Sequence, residues 1–147
     1  DGIIRSTEQH KLYRSIVQAT QPAEEQTAPH AVAAAAADLA QAIEAPVIVA
    51  YTSSGTTAAR IARKRPALPI LAITPSEEIA RRLRLMWGVH SIHSADVQSY
   101  EEMVSRAQET VLAENFAQNA DLIVVVAGIP FGQAGTTNNI RVVQIGS

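Results

Sequence analysis

Short apolar runs alternate with longer segments of strong helix formers along most of this chain, and this pattern constrains the fold more than any other feature. The apolar runs are continuous, as expected for strands that other elements cover on both faces. Strands are predicted at residues 46–51, 69–73, 89–93 and 121–127, and helices at 28–44, 56–65, 74–87 and 99–115. Such alternation predicts a mainly parallel sheet with right-handed crossover connections.

A fifth strand, predicted at residues 140–145, follows the strand at 121–127 after a loop rich in Gly, Asn and Thr. A parallel connection normally requires a crossover helix, and this loop has little helical pattern. We therefore predict that the last strand runs antiparallel to its predecessor. The expected fold class is α/β, with three α/β/α layers and a five-stranded, mostly parallel sheet.

The composition limits the classes of function that the chain can have. Its 147 residues, of which 47% are hydrophobic, suit one domain with a substantial core. The absence of cysteine excludes disulfides, thiolate metal sites and a cysteine nucleophile. A net charge of -2 gives no general attraction to nucleic acids or anionic membranes. No apolar run approaches the ~20 residues that span a bilayer. We therefore expect neither a nucleic acid nor a membrane as a partner.

The chain begins with a segment that differs in character from the rest. A short helix is predicted at residues 6–19, followed by a polar connector at 20–27. The sequence does not begin with methionine. We therefore expect a fragment of a longer protein, in which residues 1–25 lead in from a preceding domain and residues 26–147 form the α/β domain.

Two capping boxes predict where the last two helices begin. In both, a Ser or Thr is followed three residues later by Glu: Thr74 with Glu77, and Ser99 with Glu102. The first of these helices is expected to end near Trp87, whose side chain is predicted to lie in the core.

The strand at 46–51 leads into a loop of small hydroxyl residues, which we call the hydroxyl loop. In open α/β sheets, ligands bind beyond the carboxyl ends of strands, where free N–H groups and a helix dipole favour an anion. The hydroxyls can donate hydrogen bonds, the glycine permits close approach of the backbone, and no acidic residue in the loop repels an anion. The predicted phosphate cradle consists of Thr52, Ser53, Ser54, Gly55, Thr56 and Thr57. Helix capping, which needs only one hydroxyl, is the plainer alternative.

The hydroxyl loop lacks the lysine of nucleotide P-loops and the G-x-G-x-x-G pattern of dinucleotide sites, so it does not indicate ATP or NAD. A second loop, at residues 128–139, contains three glycines and leaves a neighbouring strand at the same predicted edge. It could close over the same ligand as a lid, with Thr136 and Thr137 as further hydroxyl donors, or serve as a hairpin turn, and the residues alone favour neither.

Other polar clusters have plainer explanations. Cations near the end of the helix at 56–65 are expected to satisfy its last carbonyls and its dipole; they are Arg60, Arg63, Lys64 and Arg65. The four histidines show no metal-ligand spacing, and no arrangement of Ser, His and Asp indicates catalysis. No catalytic residue, metal site or cofactor is predicted in this chain.

Two long stretches resemble the C-terminal domain of bacterial members of the pyruvate kinase family: TSSGTTAARIARKRPALPILAITPSEEIARRLRLMWGV and DLIVVVAGIPFGQAGTTNNIRVVQI. The segment RSTEQHKLY is similar to the one that joins that family's catalytic barrel to this domain. The resemblance implies a cytoplasmic, homotetrameric glycolytic enzyme that transfers phosphate from phosphoenolpyruvate to ADP and uses Mg and K in its barrel. The barrel has no counterpart here. The chain is therefore expected to be a regulatory and assembly domain that is not catalytic by itself.

The resemblance also implies a ligand. In many family members the hydroxyl loop holds one phosphate of a sugar-phosphate effector and the Gly-rich loop closes over it; the matching lid positions are Gly132, Gly135 and Thr136. Members activated by fructose 1,6-bisphosphate usually carry an arginine near the position of Met103, but the nearest arginine here is Arg106. A sugar monophosphate or a nucleoside monophosphate is therefore as plausible an effector as a bisphosphate. A degenerate site that binds no effector is a further alternative.

Two further functions remain as alternatives. Sugar-phosphate isomerase domains use a similar Ser-x-Ser-Gly-x-Thr loop, although they need a catalytic Glu or His and have an all-parallel sheet. A pure oligomerisation domain, with the loop as ordinary capping, is the other.

Overall fold

A computed structural model describes residues 27–128 and 137–146. The predicted helix at 6–19, most of the connector and the three predicted lid residues lie outside this part of the chain. The elements are α1 (Ala28–Ala42), β1 (Ile48–Tyr51), α2 (Thr56–Arg63), β2 (Ile70–Thr74), α3 (Glu77–Leu83), β3 (Val89–His93), α4 (Tyr100–Ala113), β4 (Leu122–Gly128) and β5 (Thr137–Gln144). No helix among the described residues is both long and apolar enough to cross a bilayer.

The five strands form one sheet in the order β3-β2-β1-β4-β5. The first four are parallel, and β5 pairs antiparallel with β4. From β1 the chain winds outward through β2 to β3, and it then crosses back over the sheet to add β4 on the other side of β1. The predicted fold class is confirmed, including the direction of the last strand.

Successive residues of each central strand enter two different cores. In β1, Ile48 and Ala50 face the layer that contains α1, α2 and α3, whereas Val49 faces α4. The same alternation runs through residues 70–73 of β2 and 123–127 of β4, whose side chains enter the two cores in turn. Because both faces are covered, the strands read as continuous apolar runs rather than as an alternating pattern.

Helix α1 packs on the sheet through alanines. Its buried residues are Ala33, Ala36, Ala37 and Ala40. The larger side chains of Val32, Leu39 and Ile43, which helical spacing alone predicts for the inner face, are only partly buried and pack along the margin of this core. A methyl group adds little thickness, so the helix axis can lie close to the strands.

The predicted start and end of α3 were wrong. Thr74 is the last residue of β2, where it pairs with His93, and the ladder continues as the Ser94 amide donates to the Thr74 carbonyl. Extended pairing excludes a helix start there, and the N-cap is Ser76, whose hydroxyl accepts from the Ile79 amide at 3.2 Å. The helix ends at Leu83 rather than near Trp87.

Trp87 lies on the surface and not in the core as the sequence predicted. Its side chain is 49% exposed, and the Arg65 guanidinium lies 5.2 Å from the ring centroid. Because α3 ends one turn early, the indole sits in the turn before β3 and covers an edge of the apolar layer instead of entering it.

The alanine face of α1 generates a prediction about packing. Ala36 is completely buried, whereas the neighbouring Ala35 is exposed on the same helix. We expect Ala36→Leu to lower the free energy of unfolding by about 1–3 kcal/mol, because extra methylenes have no room against the strands. Ala35→Leu, with the same change in helix propensity, should alter it by less than ~0.5 kcal/mol. Urea denaturation of the two variants measures the difference, and equal values would contradict close packing.

Candidate functional site

The hydroxyl loop lies where the winding direction of the sheet reverses. β1 and β4 are adjacent and parallel, yet the connection after β1 leads to β2 on one side, and β4 leads to β5 on the other. Such a switch point opens a crevice at the carboxyl ends of the two strands, and this is the common ligand position in open α/β sheets. Residues 52–55 fill the β1 side of this crevice, and α2 begins directly after them.

A short internal turn fixes the backbone of the hydroxyl loop. The Thr52 amide donates to the Ile73 carbonyl at 3.0 Å and so continues the sheet ladder, while the Thr52 hydroxyl accepts from the Gly55 amide at 2.7 Å. Gly55 then adopts a left-handed conformation with φ of 91° and serves as the N-cap of α2. Thr52 is buried, so its side chain stabilises the conformation of the loop rather than facing a ligand.

Three hydroxyl residues of the loop are more accessible. Ser53, Ser54 and Thr56 are half-buried. The hydroxyls of Ser54 and Thr56 lie 2.9 Å apart, and the Thr56 amide has a long 3.4 Å contact with the Ser54 hydroxyl. These side chains can rearrange toward a ligand without breaking the turn that Thr52 and Gly55 make.

The first turn of α2 offers backbone donors at the same place. Its first regular hydrogen bond runs from the Ala59 amide to the Gly55 carbonyl at 3.0 Å. The amides of Thr57 and Ala58 have no acceptor within residues 27–128 and 137–146. Because Gly55 has no side chain to cap them, these N–H groups remain available, and the positive end of the helix dipole adds to their attraction for an anion.

A buried pair of threonines lies behind the loop. The hydroxyl oxygens of Thr57 and Thr137 are 2.6 Å apart, and both side chains are almost completely buried. The Arg60 guanidinium donates to the Thr137 hydroxyl at 3.1 Å. Arg60 lies in the last turn of α2, as the sequence-based grouping has it, but its guanidinium turns back toward the first turn of the helix.

The sequence placed Thr137 in the second loop as a further hydroxyl donor, but it did not predict the contact with Thr57. A β-bulge brings it to α2: Ala127 pairs with Asn139, but Gly128 pairs with Thr137, so Asn138 is an extra residue in β5. Without the bulge, Thr137 would share the α4 face with Asn139. The bulge reverses its side and directs the hydroxyl to Thr57.

Comparison with known proteins identifies the family. The family model described as "Pyruvate kinase, alpha/beta domain" matches residues 30–143. The chain belongs to this family. Pyruvate kinases from Agrobacterium vitis, Methylorubrum extorquens and Geobacillus stearothermophilus are 59%, 41% and 33% identical to it, over 97%, 95% and 92% of its length. The matched regions are 30%, 29% and 23% of those relatives, so the chain spans less than a third of each.

Two residues of this pyruvate kinase domain bear on the size of a possible ligand. Met103 is completely buried in α4, and its carbonyl accepts the Tyr51 hydroxyl at 2.9 Å. Burial raises the pKa of Tyr51, so the phenol stays a neutral donor. Arg106 pairs with Glu102 at 2.8 Å and donates to the Ala95 carbonyl. Its guanidinium is thus engaged along α4 and does not contact the hydroxyl loop.

The described residues contain no group of three or more His, Asp or Glu side chains that could hold a metal ion. The chemistry that these residues bring together is donation of hydrogen bonds by hydroxyls and amides. The predicted cradle residues separate into accessible donors and buried supports, and the predicted lid at Gly132, Gly135 and Thr136 lies outside the described part of the chain.

Gly55 and Gly88 form a matched pair for testing the loop. Both have positive φ, and a Cβ would meet side chains of α3 no closer than 3.4 Å at Gly55 and nothing at Gly88. We expect Gly55→Ala and Gly88→Ala each to destabilise the fold by about 1–2 kcal/mol, because an L-residue strains in this conformation. Thermal denaturation measures both. A much larger loss at Gly55 would mean that the α3 side chains cannot accommodate a methyl group.

Proposed function

We propose that this chain is the regulatory and assembly domain of a pyruvate kinase and that it binds a phosphorylated small-molecule effector at the hydroxyl loop. One observation carries the proposal: accessible hydroxyls meet two helix amides, which have no acceptor in the described part of the chain, at the carboxyl-edge switch point of the sheet. This arrangement supplies several hydrogen-bond donors to one small volume and no carboxylate from within the loop.

The electrostatics of the loop support an anionic ligand. The amides of Thr57 and Ala58 lie at the positive end of α2, and phosphate oxygens are well suited to accept from such groups. Ser53, Ser54 and Thr56 add hydroxyl donors that can adjust to the ligand. Ordinary capping explains one hydroxyl, but Gly55 already occupies the N-cap position without making a side-chain bond. Capping by a hydroxyl therefore does not account for the remaining hydroxyl residues of the loop.

The geometry favours an effector with one phosphate. The resemblance implies that a second phosphate is held by an arginine early in α4, but here the matching Met103 is buried, and Arg106 is engaged with Glu102 and the Ala95 carbonyl. We propose a sugar monophosphate or a nucleoside monophosphate as the effector.

The catalytic role belongs to a part of the enzyme that this chain does not contain. The proposed parent enzyme transfers phosphate from phosphoenolpyruvate to ADP in the cytoplasm, as a homotetramer, with Mg and K bound in its barrel. The chain spans less than a third of the related pyruvate kinases. We therefore propose that it contributes regulation and subunit contacts and has no kinase activity by itself.

A role in assembly alone is the second candidate, since α2 would fold with the same loop if the donors met only water. The isomerase alternative is set aside, because the sheet ends in an antiparallel strand and the family is that of pyruvate kinase. Ligand binding separates regulation from assembly.

A calorimetric titration with ribose 5-phosphate, glucose 6-phosphate, AMP and fructose 1,6-bisphosphate tests the proposal. We expect one of the monophosphates to bind most tightly. Ser54→Asp should lower that affinity on the order of 100-fold or more, because a carboxylate then lies within a few ångströms of the phosphate. The tightest ligand would identify the class of effector.

Ser105→Asp provides the matched control. Ser105 is exposed on α4, so the substitution adds the same charge away from the loop. Its affinity should stay close to that of the unchanged chain. If none of the four ligands binds, assembly is the better assignment, and if both variants lose affinity equally, the ligand does not bind at the hydroxyl loop.

A further inference from the structure

The buried pair of Thr57 and Thr137 connects the hydroxyl loop, which contains no cation, to the guanidinium of Arg60. We infer that Arg60, Thr137 and Thr57 form a hydrogen-bond relay through which Arg60 acts as the cation of the anion site. Thr137 is the positioning residue of this relay. The inference rests on the proposed function and adds to it residues that support the ligand without touching it.

The number of hydroxyl protons in the pair supports this assignment. A guanidinium only donates, so the Thr137 oxygen accepts from Arg60. The 2.6 Å contact between the two threonines uses one of their two hydroxyl protons. The second proton has no acceptor among residues 27–128 and 137–146, although both side chains are at least nine-tenths buried. A buried hydroxyl proton without an acceptor is costly, and a bound ligand can supply that acceptor.

An anion selects one direction for the relay. If Thr137 donates to Thr57, the Thr57 proton can turn toward the start of α2, where the Thr57 amide also lacks an acceptor among the residues that the structure describes. The chain of donors then runs from Arg60 through Thr137 and Thr57 to the anion. The hydroxyl dipoles of Thr137 and Thr57 then point in the same direction, between the positive guanidinium and the negative ligand. Each hydrogen bond of the chain therefore strengthens the next.

The relay also joins two elements that are far apart in sequence. Thr57 is in the first turn of α2, and Thr137 is the first residue of β5, directly before the bulge at Asn138. An anion that fixes the Thr57 proton therefore also fixes the hydrogen bonding at the start of the edge strand. The inserted residue at 138 is what makes this contact possible.

Titration of the full chain with inorganic phosphate, followed by the amide NMR signals of the hydroxyl loop, tests the inference. Thr137→Val keeps the side-chain volume and removes the hydroxyl, and we expect about a tenfold loss of phosphate affinity, because a charge-assisted chain is broken. Thr137→Ser should return affinity to within about threefold of the unchanged chain, which a role in packing alone would not predict. Thr74→Val is the control, since Thr74 is equally buried at the end of β2 and contacts neither threonine.

A double-mutant cycle with Arg60→Met tests the direction of the relay. Arg60→Met should weaken phosphate binding by itself, but adding it to Thr137→Val should cause little further loss, since the path is already broken. Additive losses would show that Arg60 acts on the anion independently of Thr137, and the relay would be wrong. Because Arg60 is only partly buried, Arg60→Met alone still tests the relay if Thr137→Val lowers stability, and unchanged phosphate affinity in Arg60→Met would contradict it.

The outcomes separate this inference from the proposed function. If the unchanged chain binds phosphate and Thr137→Val binds it equally well, the relay is wrong and the anion site stands. If the unchanged chain binds neither inorganic phosphate nor any of the four ligands of the calorimetric titration, both are overturned.

Discussion

Burial of β1 on both faces is the constraint on which the rest of the structure depends. Its side chains are divided between two apolar cores, one under α1 to α3 and one under α4, and β2 and β4 lie on either side of it. No polar side chain can be placed within such a strand without a buried partner. The first position at which the chain can display polar groups is the end of the strand, and there the sequence changes abruptly to TSSGTT.

The alanine content of α1 has a related effect on the site. With Ala33, Ala36 and Ala40 against the sheet, the helix lies close to the strands, and Ala58 gives α2 a similarly flat contact. Close-packed elements resist small displacements because any shift forces side chains to overlap. The close packing of these elements thereby fixes the backbone of the turn between Thr52 and Gly55. The hydroxyl loop can then keep its donors at fixed positions although each hydroxyl side chain can rotate.

Much of the fold could be predicted from the sequence because burial on two faces leaves a clear signal in the residues. Each strand was found, and the antiparallel direction of β5 followed from the lack of helical pattern in the preceding loop. The start of α3 could not be found in this way, since Thr74 and Ser76 are both good caps and only the pairing of Thr74 with His93 decides between them. The prediction that Trp87 lies in the core failed for a related reason. It assumed that α3 continues to Trp87, whereas the helix ends at Leu83.

The part of the site that sequence reasoning missed depends on a single inserted residue. Thr57 and Thr137 are far apart in the chain, and the strict alternation of a strand would turn Thr137 away from α2. The bulge at Asn138 reverses that side and also ends the regular pairing of β5 next to the crevice. A loop without its own lysine would be a weak anion site, whereas a loop backed by Arg60 through two buried hydroxyls need not expose a cation at all. An exposed lysine attracts any phosphate, but in the proposed relay Arg60 would act through Thr57 and would favour anions that reach the start of α2 and accept from that hydroxyl. The bulge at Asn138 would then account both for the contact between Thr137 and Thr57 behind the loop and for the selection among phosphate ligands.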